Sequence, residues 1–102
     1  MKFESNEKSY DLKYTVNAVA DMEEMTGAGL SSITQSGEIY AMRALFWAGL
    51  IDSNPELTVK QAGDIMGGYI QAHGPQECMV LITKSLEESG FIRAQAARKP
   101  KR

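Results

Sequence analysis

The sequence predicts a mainly α-helical domain that opens with a short β-hairpin and packs about four helices around one core. Three observations predict it. Tyr10, Leu12 and Tyr14 alternate with Asp11 and Lys13, the period-2 pattern of a strand with one buried face. Ile39, Met42, Leu45, Phe46 and Leu50 recur at helical 3–4 spacing, and Trp47 widens that stripe. Thr58-Val-Lys-Gln61 has the form of a capping box, a hydroxyl followed three residues later by a glutamine.

In chain order, residues 2–4 and 9–15 read as the two strands, joined by the turn residues Ser5-Asn6-Glu7-Lys8. A lone hairpin is marginal in water, so it must pack on helices. A first helix is expected over 17–26, with Asn17 as N-cap and Gly27 ending it in a left-handed conformation. Val16, Val19, Ala20, Met22 and Met25 form its thin apolar stripe. The small residues of 27–37 read as a loop with one helical turn near Leu30 to Ile33. The second helix covers 38–48, with Arg43 on its polar side, and Pro55 pushes Asn54 out of helical geometry.

The third helix starts at the capping box, presents Val59, Ala62, Met66, Tyr69 and Ile70 on one face, and ends at His73-Gly74. Gly67-Gly68 inside it costs about 1 kcal/mol per glycine relative to alanine. That cost implies either a close crossing with another helix or a local bend. Pro75 suits the first position of a fourth helix that stops at Gly90, with Cys78, Met79, Leu81, Ile82 and Leu86 pointing inward. Met79 to Thr83 also has the composition of a strand, but the bracketing proline and glycine favour a helix. Residues 1–92 read as one globular domain and 93–102 as a basic, disordered tail.

At 102 residues, 43% hydrophobic and 24% charged, the composition is that of an ordinary globular protein with one core. The net charge of −2 conceals an asymmetry: 13 acidic and 6 basic side chains over 1–92, then none acidic and 5 basic over 93–102. An acidic body lacks the broad basic face of a nucleic-acid-binding domain. No run reaches the roughly 18 apolar residues of a membrane span, and Met1-Lys-Phe-Glu-Ser-Asn-Glu has no secretory h-region. The expectation is action in the compartment of synthesis, with the single Cys78 suiting a reducing one.

Catalysis needs a positioned base, nucleophile or metal. His73, the one histidine, reads as a capping or surface residue, and Cys78 as a buried, inert thiol. One Cys and one His cannot build a structural zinc site. Asp21, Glu23 and Glu24 read as a solvated helix face. Gly27-Ala-Gly29 lacks the remainder of any nucleotide-binding fingerprint. No enzyme activity, cofactor or metal is expected.

Binding remains. Met22, Met25, Met42 and Met66 lie on predicted helices, where methionine either fills an irregular core or makes an adaptable surface. Tyr40, Trp47 and Tyr69 are candidates because aromatics dominate interface hot spots. A single tryptophan within Leu-Phe-Trp-Ala is equally a core residue. Trp47, Met66 and Tyr69 are taken as the partner-binding set.

Three stretches together resemble the phage and prophage tail assembly chaperones, in the group that includes the gene-transfer-agent tail protein. They are Tyr10-Asp-Leu-Lys-Tyr-Thr-Val-Asn-Ala-Val-Ala-Asp-Met-Glu-Glu-Met-Thr-Gly27, Arg43-Ala-Leu-Phe-Trp-Ala-Gly-Leu50 and Pro55-Glu-Leu-Thr-Val-Lys-Gln-Ala-Gly63. Residues 75–102 carry no matching motif.

The resemblance implies a non-enzymatic protein of the host cytoplasm that coats the long helical tape-measure protein while the tail tube is built. Such a protein is then shed, so it is absent from the mature virion. It also implies a longer frameshifted form that recruits tail tube protein, and self-association or client binding through an apolar groove. The motif positions Glu23, Glu24, Trp47, Gly49 and Leu50 are then structural or interfacial. The alternative is a small nucleic-acid-binding or regulatory domain using the basic tail. The acidic body and the Leu45-Phe46-Trp47 centre of the second helix disfavour it.

Overall fold

The computed structural model describes residues 1–92, and the expected basic tail lies outside the described residues. Seven elements follow in order: β1 (Lys2–Ser5), β2 (Lys8–Asp11), α1 (Val16–Thr26), α2 (Leu30–Ser36), α3 (Ile39–Leu50), α4 (Val59–His73) and α5 (Pro75–Glu88). The described residues are thus mainly α with an N-terminal hairpin, and hold five helices where about four were expected.

The hairpin is antiparallel, with Ser5 opposite Lys8 and Lys2 opposite Asp11. Asn6 and Glu7 form its two-residue turn, both at positive φ (53° and 68°), as a type I′ turn requires. The second strand ends at Asp11, four residues before the expected end, because its partner strand runs out at Lys2. The alternation persists beyond the ladder: Leu12 and Tyr14 are buried and Lys13 is exposed. This stretch exchanges strand pairing for helix contacts. Lys13 N donates to Gly49 O (2.8 Å), and the Tyr14 hydroxyl donates to Leu45 O (2.6 Å). The buried Ser85 hydroxyl donates to Leu12 O (2.7 Å).

Two helix starts differ from expectation. Thr15, not Asn17, caps α1, its hydroxyl accepting from Ala18 N at 3.1 Å. With that register α1 buries Ala18, Val19 and Met22, while Val16, Ala20 and Met25 are exposed. The segment read as a loop with one helical turn near Leu30 to Ile33 holds a longer, seven-residue helix, α2, that begins at Leu30 and is held by buried Ile33. The Glu23 carboxylate accepts from Leu30 N at 2.7 Å and so caps α2 from α1. Glu23 is therefore a structural cap and only half exposed, whereas Asp21 and Glu24 are exposed.

Helix α3 is central and packs against every other helix and β2. Ala41, Met42, Ala44, Leu45, Phe46, Ala48, Gly49 and Leu50 are all buried. A helix apolar on nearly every side belongs in the interior, and a single stripe understated it. Its first turn projects beyond the packing, so Ile39, expected inward, is 61% exposed.

Helix α4 carries the full capping box, with Thr58 N donating to Gln61 Oε1 (2.9 Å) and Gln61 N to Thr58 Oγ1 (3.1 Å). Gly68 is a close approach, but to the hairpin turn rather than to a helix. Helix α5 starts on Pro75 as expected and buries Cys78, Leu81, Ile82 and Leu86, with Met79 half-buried. No described helix is long and apolar enough to cross a membrane.

Candidate functional site

The three residues chosen as a partner-binding set serve different neighbourhoods. Trp47 is half-buried, and its indole N–H donates to Leu57 O at 2.9 Å, pinning the α3–α4 connection just ahead of the Thr58 cap. Met66 is buried at 4% exposure and offers only an edge to the surface. Tyr69 is half-buried, edge-on to Phe3 at 5.6 Å and tilted over His73 at 4.5 Å. Burial raises its phenol pKa, with Glu77 and Cys78 adding to the rise. Among the motif positions, Gly49 and Leu50 are buried and Glu23 caps α2.

Three of the five exposed large apolar residues of the described chain mark another place, while Val16 and Val80 lie elsewhere. Met25 is 45% exposed, Ile39 61% and Tyr40 57%. Met25 and Tyr40 line one hollow of about 390 Å³ with Thr26, Arg43, Ala44 and Val59. Ile39 lines a second, of about 520 Å³, with Arg43, Lys60, Gly63, Asp64 and the Met66 edge. Arg43 belongs to both, so the two hollows adjoin at its side chain beside the first half of α3. They lie between the end of α1 and the start of α4, and the pair is termed the groove.

Arg43 has unusual surroundings. Its aliphatic stem lies along Gly63, where an added Cβ would stand 3.1 Å from Arg43 Cδ and 3.7 Å from Cγ. Its Nε is buried and, alone among the buried side-chain polar atoms of the described residues, has no hydrogen-bond partner. The ion pairs among the described residues involve Met1 and Lys13 and leave Arg43 out, although Asp64 lines the same hollow. Buried polar groups are nearly always paired in native proteins, so an orphan calls for a reason.

A larger hollow, of about 540 Å³, lies between the hairpin and the α3–α4 connection, with Lys2, Lys8, Tyr10 and Asp11 on its walls. Its carboxylate is already engaged. The Met1 amino group donates to Asp11 Oδ1 at 2.7 Å and holds the Asp11 pKa below its ordinary value. Cys78 is fully buried, and burial pushes its thiol pKa up to about 11, which keeps it protonated and unreactive near neutrality. No group of three or more His, Cys, Asp or Glu that could hold a metal occurs among the described residues.

Sequence reasoning flagged Tyr40 as an aromatic candidate and Met25 as a candidate adaptable methionine. It placed Ile39 in the core and gave Arg43 no role. The exposed first turn of α3 could not be read from spacing alone. Comparison with protein-family models, with curated proteins and with solved structures found no match to this chain.

Proposed function

We propose that this chain is a non-enzymatic tail assembly chaperone of a phage or prophage, which holds the long helical tape-measure protein during tail morphogenesis. One observation carries the reading: the three stretches that resemble the family meet at one hollow. Met25 and Thr26 come from the first, Arg43 and Ala44 from the second, and Val59 from the third. Together with Tyr40, which lies just ahead of the second stretch, they expose a methionine and a tyrosine beside a cation, surfaces that adapt to varied apolar helices. Helix-in-groove binding is the mode this surface suits.

On this reading the protein acts in the host cytoplasm while tails are built and is shed before the virion matures. A longer frameshifted form would recruit tail tube protein to the coated client.

The test is an affinity capture of the tagged chain from phage-producing cells, with and without nuclease, read by mass spectrometry. Enrichment of one long, helix-rich phage protein, unchanged by nuclease, is the expected result. Recovery of nucleic acid, with protein partners lost on nuclease treatment, would overturn the reading in favour of a nucleic-acid-binding domain.

A further inference from the structure

The groove beside Arg43 specifies the chemistry of what covers it. A partner that covers Met25, Ile39 and Tyr40 also covers Arg43, because Arg43 lines both hollows. A guanidinium taken out of water without a counter-charge is strongly unfavourable. The described residues supply no counter-charge within 4.0 Å, and Nε is already shielded from solvent and unpaired. A purely apolar partner would therefore be rejected at this spot. A partner that brings a carboxylate would gain a charge-assisted hydrogen bond, strengthened by the apolar cover it brings.

We infer that the groove selects an amphipathic helix of a partner protein whose apolar stripe is interrupted by one Asp or Glu, which pairs with Arg43. The inference rests on the reading of this groove as the client-binding surface. Long-range charge agrees with it. Residues 1–92 carry only 6 basic side chains against 13 acidic ones. Two of those six, Arg43 and Lys60, line this groove, against a single acidic residue, Asp64. An acidic residue on a partner is repelled by most of the body and accepted here, which fixes where along the helix it docks. Gly63 contributes by leaving room for the Arg43 stem, whose Cδ an added Cβ there would meet at 3.1 Å.

The test uses the full chain, labelled with ¹⁵N, and two synthetic helical peptides with a Leu/Met stripe. They differ only in a central Glu or Gln. The Glu peptide should bind about tenfold more tightly, as one charge-assisted hydrogen bond warrants. Its shifts should centre on Met25, Ile39 and Tyr40, and the preference should fall to about one in Arg43→Gln while partly surviving in Arg43→Lys. Because the peptide exchange leaves the protein untouched, the test stands even where a variant folds poorly. Equal binding of both peptides at Met25 and Tyr40 would overturn the carboxylate while leaving the groove reading in place. Shifts confined to another face, or absent, would overturn both. Concentration-dependent dimerisation that Tyr40→Ser abolishes would give the groove to a second copy of the chain, and would also overturn the inference.

Discussion

Ser5 on the hairpin stands where a side chain on Gly68 would begin: a Cβ there would come within 2.5 Å of Ser5 Oγ. The serine cannot easily retreat, since it is buried and its hydroxyl donates to Ile65 O at 2.6 Å. Gly67, one residue earlier, would meet nothing within 4 Å. The two adjacent glycines therefore predict opposite outcomes. Gly68→Ala should destabilise by about 1–3 kcal/mol, as overpacking does. Gly67→Ala should stabilise by about 0.5–1 kcal/mol through helix propensity and unfolded-chain entropy. Urea denaturation of the two variants beside the parent checks both signs.

The hairpin turn offers a second test. Glu7 sits at φ 68° on an exposed position, a conformation that L side chains adopt at a cost and glycine adopts readily. Glu7→Gly gives the Asn-Gly pair favoured in type I′ turns and should raise stability by about 0.5 kcal/mol, net of glycine's greater unfolded entropy. A loss of stability would mean that the turn is not of this type.

Trp47 is an anchor of the α3–α4 connection. Trp47→Phe keeps an aromatic ring but removes the donor to Leu57 O, and should cost about 1 kcal/mol. Trp47→Ala removes the ring as well and should cost about 2–4 kcal/mol, towards the lower end for large aromatic truncations because the ring is half-buried. Equal melting temperatures for parent and Trp47→Phe would show that the indole hydrogen bond contributes nothing.

The core should fail at alkaline pH. Burial raises the Cys78 thiol from 9.0 to about 11, and burial with the nearby Cys78 raises the Tyr14 phenol further still. The folded state thus holds these protons when the unfolded chain has released them. Stability is unaffected by Cys78 below pH 9.0 and falls as pH rises from there through about 11. Stability followed by urea titration across this range should show that fall, and Cys78→Ala should flatten part of it. An unchanged slope in the variant would contradict the shift.

Much of this fold is legible in local residue chemistry. The capping box, the Pro75 start, the positive-φ glycine after Thr26 and the Leu12–Tyr14 alternation all act within a few residues and can be read one-dimensionally. What escapes is held from a distance. Helix α2 looks like a loop because Ser and Thr favour turns, and its cap comes from Glu23 on the preceding helix. The need for Gly68 comes from Ser5 and Asn6, sixty-odd residues away in sequence. The groove is hidden for a related reason: whether Met25, Ile39 and Arg43 face the core or solvent depends on where α1 ends and α4 begins against α3, which no local period encodes.

The most direct measurement compares capture by the parent chain and by a Met25→Ser/Tyr40→Ser variant from phage-producing cells, in nuclease, with melting curves on the same preparations. Both side chains are exposed, so the variant should melt within a few degrees of the parent while losing most of one long, helix-rich phage protein. Undiminished capture by a folded variant, or no such protein with the parent, would contradict the proposed function.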